Sequence, residues 1–265
     1  MKNRYPRSGS GLHFREYARA LRERHPEMLE THGPLLESLD IEPTDDPDRF
    51  QKPTEKQGCG GAAAWNLARL SDIPGARGEP KPFGVSKSYR GLLLLKPPFD
   101  LVLYADLIWQ SQPRTIIEFG SGQGGSGLWF ADQAQVLAPG CDVLSFDRFS
   151  DCVSPRAKHP RLHFHTADLT RLETLDPAQL AALPHPWVVI EDAHVNVFEL
   201  FTYVDRFMVS GDYYIVEDWT MQASARELHA IAELFEGSGY MVDVRYTDAF
   251  GMNMTSAAHG WMRKS

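Results

Sequence analysis

Cysteine is scarce. The 265-residue chain has three, Cys59, Cys141 and Cys152, and no pair stands at metal-ligand spacing. That excludes a disulfide-stapled scaffold and a thiolate zinc site, and an odd, sparse count fits a reducing cytoplasm. Long apolar runs are absent as well. Leu92 to Leu95 is far too short to span a bilayer, and the first residues have no signal-peptide core, so a soluble cytoplasmic protein is expected. Positive charge is in deficit, with 27 Lys and Arg against 35 Asp and Glu, a net charge of −8 and a pI of about 5.7. Nucleic acid and anionic membrane are therefore disfavoured as partners. There is no internal repeat, and no flavin or redox-metal motif.

The chain does contain one glycine-dense stretch behind a β-branched run. Thr115 to Ile117 reads as a strand, Glu118 follows, a turn rich in glycine runs from Gly120 to Gly125, and Leu128, Trp129, Ala131, Ala134 and Val136 continue with helical spacing. Strand, glycine turn and helix in that order make a nucleotide-cradling unit, because glycine backbone approaches a ligand closely and a helix N-terminus offers unpaired N–H groups. Gly120, Gly122 and Gly125 satisfy G-x-G-x-x-G, with Asp147 at about the ribose-binding distance, so a nicotinamide cofactor is one reading. Glu118 points the other way. An acid two residues before the first glycine repels a pyrophosphate and suits a cation such as the ammonium of a methionine moiety. Acid-x-Gly-x-Gly after a first strand resembles the first motif of S-adenosylmethionine-dependent methyltransferases.

From His13 to Leu39 the apolar spacing predicts two or three short helices broken at Pro26 and Gly33-Pro34. Residues 41–61 read as loop, 62–70 as a short helix around Trp65, and 71–87 as irregular. Residues 1–90 are expected to form a helical and loop accessory region for substrate closure, oligomer contacts or mere extension, ahead of a main domain at 91–265. Pro97-Pro98 stops an apolar run. Asp100 is expected to cap a helix from Leu101 to Gln110, and Lys96, just before that break, either faces the ligand pocket or solvent.

Strand and helix patterns then alternate. Strands are expected at Asp142 to Phe146, Leu162 to Thr166, Trp187 to Ile190, Gly211 to Val216, Tyr240 to Tyr246 and Gly260 to Arg263. Helices are expected at Asp176 to Leu183, Val195 to Met208 and Ser224 to Gly237. The pattern predicts an α/β fold, a doubly wound Rossmann-like sheet, mostly parallel. The loop from Thr247 to His259 is too short for a crossover helix, so the last two strands should pair antiparallel. Ligands of such sheets bind beyond the strands' carboxyl ends. Asp147 stands there to accept ribose hydroxyls, and Asp168 either sits beside the adenine or caps a turn.

Two acidic pairs, Glu191-Asp192 and Glu217-Asp218, follow successive apolar runs. Set side by side, they crowd up to four carboxylates, which repel unless protonated or bridged by a cation. Oxygen-only donors suit a hard divalent ion, magnesium first. The plain alternative is two acidic strand-to-helix junctions. His194 is a candidate general base or a partner that orients a metal ligand. His163 and His165 with Asp168 match an iron facial triad poorly.

Lys96-x-Pro98-x-Asp100-Leu-x-x-Tyr104, Leu107-Ile-Trp109, Glu118-Phe-Gly-Ser-Gly-x-Gly-Gly-Ser, Glu191-Asp-Ala-His194, Gly211-Asp-Tyr-x-x-Val-Glu-Asp218 and Phe250-Gly-x-Asn253 together resemble the cephalosporin hydroxylase family, to which rhamnosyl and macrolide-sugar O-methyltransferases are similar. The resemblance covers about 91–263. It implies a class I methyltransferase sheet, S-adenosylmethionine as cofactor and a magnesium site at the fourth and fifth strand ends. It implies that Glu118, Gly120, Gly122 and Gly124 hold the methionine part and Asp147 the ribose. Ser121, Gly125, Arg148, Asp168 and Lys96 complete the expected cofactor set. Glu191, Glu217 and Asp218 are the implied metal ligands. The family often has aspartate where Glu191 stands, so Asp192 is a fourth candidate, and Asp192 with His194 form the expected catalytic pair. The function expected is metal-dependent O-methylation of a small molecule in natural-product biosynthesis. The alternatives are an NAD(P)-dependent oxidoreductase and a non-catalytic partner in a hydroxylating complex.

Overall fold

The computed structural model describes residues 49–56, 87–218 and 224–265. The helices expected within 13–39 and 62–70 lie outside them. Phe50–Gln51 forms a short strand, β1, inside the stretch expected as loop. A hairpin follows, β2 (Lys87–Tyr89) and β3 (Leu92–Leu94). Its two-residue turn, Arg90-Gly91, has positive φ at both positions (50° and 77°), the twist that closes a tight antiparallel pair.

Helix α1 spans Pro98–Ser111, with Pro98 in the first turn, where a missing N–H is no loss. Asp100 does not cap it. Its carboxylate turns inward and accepts the Ser256 N–H at 3.0 Å and the Ser256 hydroxyl. Strand β4 (Thr115–Phe119) leads through the glycine turn to α2 (Gly125–Leu137). Then come β5 (Asp142–Asp147), β6 (Leu162–Thr166), α3 (Pro177–Ala181), β7 (Trp187–Glu191), α4 (Val197–Asp205), β8 (Tyr213–Val216) and α5 (Ala225–Gly237). The chain closes with β9 (Tyr240–Asp243), a helical turn α6 (Val244–Thr247) and β10 (Trp261–Lys264).

The sheet order is β1-β9-β10-β8-β7-β4-β5-β6. Strands β6, β5, β4, β7 and β8 are parallel, and β10 runs antiparallel to both β8 and β9, as the short closing loop requires. The order reverses at β4, with β5 on one side and β7 on the other, which puts the topological switch point at the carboxyl ends of β4 and β7.

Side chains alternate across the sheet. Ile116, Val143, Val188, Ile190 and Ile215 pack under α1 and α2, while Ile117, Leu144, Val189 and Tyr214 pack under α4 and α5. Two expected elements are shortened for local reasons. Strand β9 stops at Asp243 because that buried carboxylate caps α6 through the Arg245 N–H and pairs with Arg49. Helix α4 starts two residues late because His194 and Asn196 hold positive φ (55° and 57°). Helix α5 starts with a capping box formed by Ser224 and Glu227. Among the described residues no helix is long and apolar enough to cross a membrane.

Candidate active site

A cavity of about 830 Å³ opens at the switch point. Ten of the expected site residues line it: Gly120, Ser121, Gly122, Gly125, Asp147, Arg148, Asp168, Asp192, His194 and Asp218. Five others, Lys96, Glu118, Gly124, Glu191 and Glu217, are not among its lining residues.

One wall is backbone. Gly120 has φ +106°, and a Cβ there would lie 2.8 Å from the Asp192 carbonyl oxygen. A side chain would force the glycine turn away from the end of β7. Gly122, at φ +48°, has nothing within 4 Å of a Cβ, so its backbone faces open space. Gly125 sits so tightly under the hairpin that a Cβ would meet the Leu93 carbonyl oxygen at 1.9 Å. The Gly122 N–H donates to Asp147 Oδ2 at 3.0 Å, and the Phe149 N–H to Asp147 Oδ1 at 2.9 Å. Asp147 thus pins the turn as well as lining the cavity.

Glu118 lies beneath the turn, fully buried. The Ser145 hydroxyl donates to its Oε2 at 2.5 Å and stands 2.6 Å from the Ser121 hydroxyl. Glu118 therefore reaches the cavity through two hydroxyls, while its Oε1 is buried with no hydrogen-bond partner. Burial pushes its pKa up, and the Lys96 ammonium opposes this. Asp168 lines the cavity and also fastens its own turn, accepting the Thr170 N–H and hydroxyl at 3.1 and 2.7 Å. The Thr170 hydroxyl bond is the main reason its carboxyl is held below the usual range. Arg148 lays its guanidinium over the Phe149 ring, 4.5 Å from the centroid. His163 lies near Asp142, and His165 stacks on Phe146. Neither lines the cavity with Asp168.

The other wall is acidic, and here the expected set of four is rearranged. The β7–β8 register pairs Glu191 with Val216. One residue further on, it sets Asp192 beside Glu217, so the two acidic pairs are out of step by one. A one-residue offset in a strand reverses the face. Glu191 turns to the α4 side, where its Oε1 accepts the N–H groups of Ala193 and His194 at 3.2 and 2.7 Å, and burial raises its pKa to about 7. Asp192 and Glu217 turn to the α1 side, where Lys96 meets both. Its Nζ donates to Glu217 Oε2 at 2.7 Å and to Asp192 Oδ2 at 3.1 Å, and the Tyr104 hydroxyl donates to Glu217 Oε1.

Burial alone would depress the Lys96 ammonium. Asp192, Glu217 and Glu118 outweigh it and hold the group charged, above its ordinary range. Lys96 is 1% exposed and is not among the residues that line the cavity.

The atoms that do converge belong to Asp192, His194 and Asp218, whose donor atoms all lie within 4.8 Å of one another. His194 Nε2 is 3.4 Å from Asp192 Oδ1. Burial works against its imidazolium, and Asp192, Glu191 and Asp218 together raise its pKa. His194 and Asp218 both hold left-handed backbone, with φ of 55° and 50°. Such strain in side-chain-bearing residues gathers at ligand sites. Two carboxylates and an imidazole on a cavity wall fit a divalent cation.

Tyr104, Ser145 and Ser256 are not among the expected site residues. Asp100 and Tyr104 did carry a signal, because polar residues four apart on a helix share one face, and Lys96, two residues before the helix, continues their spacing.

The strand order, the reversed β10 and the acid-glycine turn at the switch point define a class I methyltransferase fold. The family model described as rhamnosyl O-methyltransferase/CmcI matches residues 83–265, and the chain belongs to that family. It is similar to CmcI solved as "Mg-SAM", at 28% identity and a TM-score of 0.61, covering 82% of this chain and 91% of that one. It also resembles two curated proteins named rhamnosyl O-methyltransferase. One is from Mycobacterium leprae, 26% identical over 49% of this chain and 59% of that protein. The other is from Mycobacterium bovis, 24% identical over 62% and 67%. The chain thus spans about three fifths to two thirds of the length of these curated relatives.

Proposed function

We propose that this chain is an S-adenosylmethionine-dependent O-methyltransferase that uses a divalent cation to methylate a hydroxyl of a sugar or another natural product. The observation that carries the reading is the convergence of Asp192, His194 and Asp218 on a cavity that the Gly120-to-Gly125 turn also lines. When bound, the cofactor supplies an electrophilic methyl group and the cation a Lewis acid. Everything else falls to the chain.

The glycine turn holds the methionine part, with the Glu118–Ser145–Ser121 hydroxyl relay supplying negative charge where an ammonium rests. Asp147, already anchored by two N–H groups, meets the ribose with its remaining acceptor capacity. Arg148 and Asp168 border the adenine end. Asp192, His194 and Asp218 hold the cation, and His194 must be neutral to offer nitrogen. Orientation and placed charge then account for most of the rate. Glu118 disfavours the nicotinamide reading, since a buried acid beneath the first glycine repels a pyrophosphate. Residues 1–90 serve this domain as an accessory region. The Arg49–Asp243 and Lys56–Asp248 ion pairs, at 2.7 Å each, tie its described part to the sheet edge.

The test is calorimetric titration of S-adenosylmethionine with magnesium and then with chelator, followed by methyl transfer to hydroxylated sugars. Saturable binding and chelator-sensitive transfer are expected. No binding in either condition, with thermal protection by NAD instead, overturns the reading.

A further inference from the structure

We infer that a buried polar stripe, running from Lys96 just before α1 onto that helix, is the positioning element of the cation site: Lys96 aims Asp192, and Asp100, through Ser256, aims Asp218, with neither touching the cation. This rests on the cation reading above. Lys96, Asp100 and Tyr104 recur every fourth residue and are each at most 1% exposed, an all-polar stripe within an apolar interface. The stripe has two arms.

In the first, Lys96 Nζ holds Asp192 Oδ2 at 3.1 Å. That leaves Oδ1 turned toward His194 Nε2, 3.4 Å away. Glu217, gripped by Lys96 and by the Tyr104 hydroxyl, anchors the ammonium from the other side. In the second, Asp100 receives both the N–H and the hydroxyl of Ser256. The Ser256 carbonyl then accepts the Asp218 N–H at 3.2 Å. Asp218 is left-handed at φ 50°, a conformation that aspartate adopts more readily than most residues and that the bond to the Ser256 carbonyl helps hold. Asp100 Oδ1 is buried without a hydrogen-bond partner, so this carboxylate is expensive to bury. Its two bonds to Ser256 are what the fold obtains from it.

Charge and geometry predict opposite results, which makes the inference testable by Mn²⁺ titration, followed by loss of the free-ion paramagnetic resonance signal. Lys96→Met removes a cation beside the site, so charge alone predicts tighter Mn²⁺ binding. Positioning predicts weaker binding, by about tenfold, as for other residues that orient metal ligands. Asp100→Ala and Asp100→Asn both remove a negative charge, but only the amide keeps an acceptor for Ser256. Positioning predicts a loss of about tenfold for Ala and near-wild-type affinity for Asn. S-adenosylhomocysteine affinity of the Asp100 variants, read on the same samples, should stay near wild type, because the Asp100–Ser256 arm does not involve Glu118 or the glycine turn.

Tighter Mn²⁺ binding by Lys96→Met, or equal losses for the two Asp100 variants, overturns the inference and leaves the cation reading standing. Wild-type protein that binds no Mn²⁺ overturns both. Should Asp100→Ala fail to fold by circular dichroism, the sign of the Lys96→Met change decides.

Discussion

The two walls of the cavity are built from different materials. The wall at the end of β4 is backbone: Gly120, Gly122 and Gly125 shape it, and the residues that shape it are neighbours in sequence. The wall at the ends of β7 and β8 is side chain. Its carboxylates are aimed by groups as distant as Lys96, 121 residues before Glu217, and Asp100, 156 residues before Ser256. A backbone wall depends on conformational freedom at single positions. A charged wall depends on who stands opposite whom, and hence on strand register and helix docking. The first kind fails through steric clash at one residue, the second through a lost partner anywhere in the network.

Substitutions can break that contrast at graded strength. The largest effect belongs to Gly120→Ala. With φ +106° and a Cβ 2.8 Å from the Asp192 carbonyl oxygen, it should cost at least about 3 kcal/mol. It should also abolish S-adenosylhomocysteine binding. Chemical denaturation and calorimetry read both, and a near-wild-type protein would mean that the two walls do not touch as the structure has them.

On the charged side, Asp100 titrates at about 6 in the fold because burial raises it from 3.8. Between those values the folded state binds more protons than the unfolded chain, so wild-type stability should fall as pH rises from about 4 to 6, by about 3 kcal/mol. Asp100→Asn removes this contribution. Its stability relative to wild type should therefore climb over the same window, and parallel pH curves would refute the assignment.

A smaller loss is expected where the walls meet chemically. Ser145→Ala leaves Glu118 Oε2 without its donor and cuts the link to Ser121, for about 2 kcal/mol of stability and a several-fold weaker S-adenosylhomocysteine complex. The smallest change should be Gly122→Ala. It has the same residue type and the same hand of backbone as Gly120, but open space around a Cβ, so only about 1 kcal/mol of backbone strain is expected. If Gly122→Ala proves as harmful to folding as Gly120→Ala, positive φ and not the contact with β7 is the constraint, and the comparison collapses.

Much of this molecule could be read along the chain. The run from Thr115 to Phe119, the glycine turn and α2 appear where the pattern put them. So do the parallel sheet and the antiparallel β9–β10 pair. Each is a short-range property: β-branched residues favour strands, glycine permits positive φ, and a loop of a dozen residues cannot carry a crossover. Asp100 shows the limit. An acid at a helix start reads as a cap, yet here it turns inward because Ser256, delivered by the loop before β10, offers two donors. Glu191 shows a second limit. Two acidic pairs after two strands read as equivalent, but the one-residue offset of β7 against β8 sends Glu191 to one face and sets Asp192 beside Glu217 on the other.

The fold family, the glycine turn after β4 and the edge of the sheet where acids gather follow from propensities and periods that act over a few residues. Which acids face the cavity depends on contacts between distant parts of the chain. Asp192, His194 and Asp218 meet there, while Glu217 is engaged by Lys96 and Tyr104 and Glu191 by the backbone at the start of α4. The reason is that a buried charge goes where a partner can satisfy it. Those partners arrive from parts of the chain that become neighbours only once the sheet's register is set and α1 has docked against it.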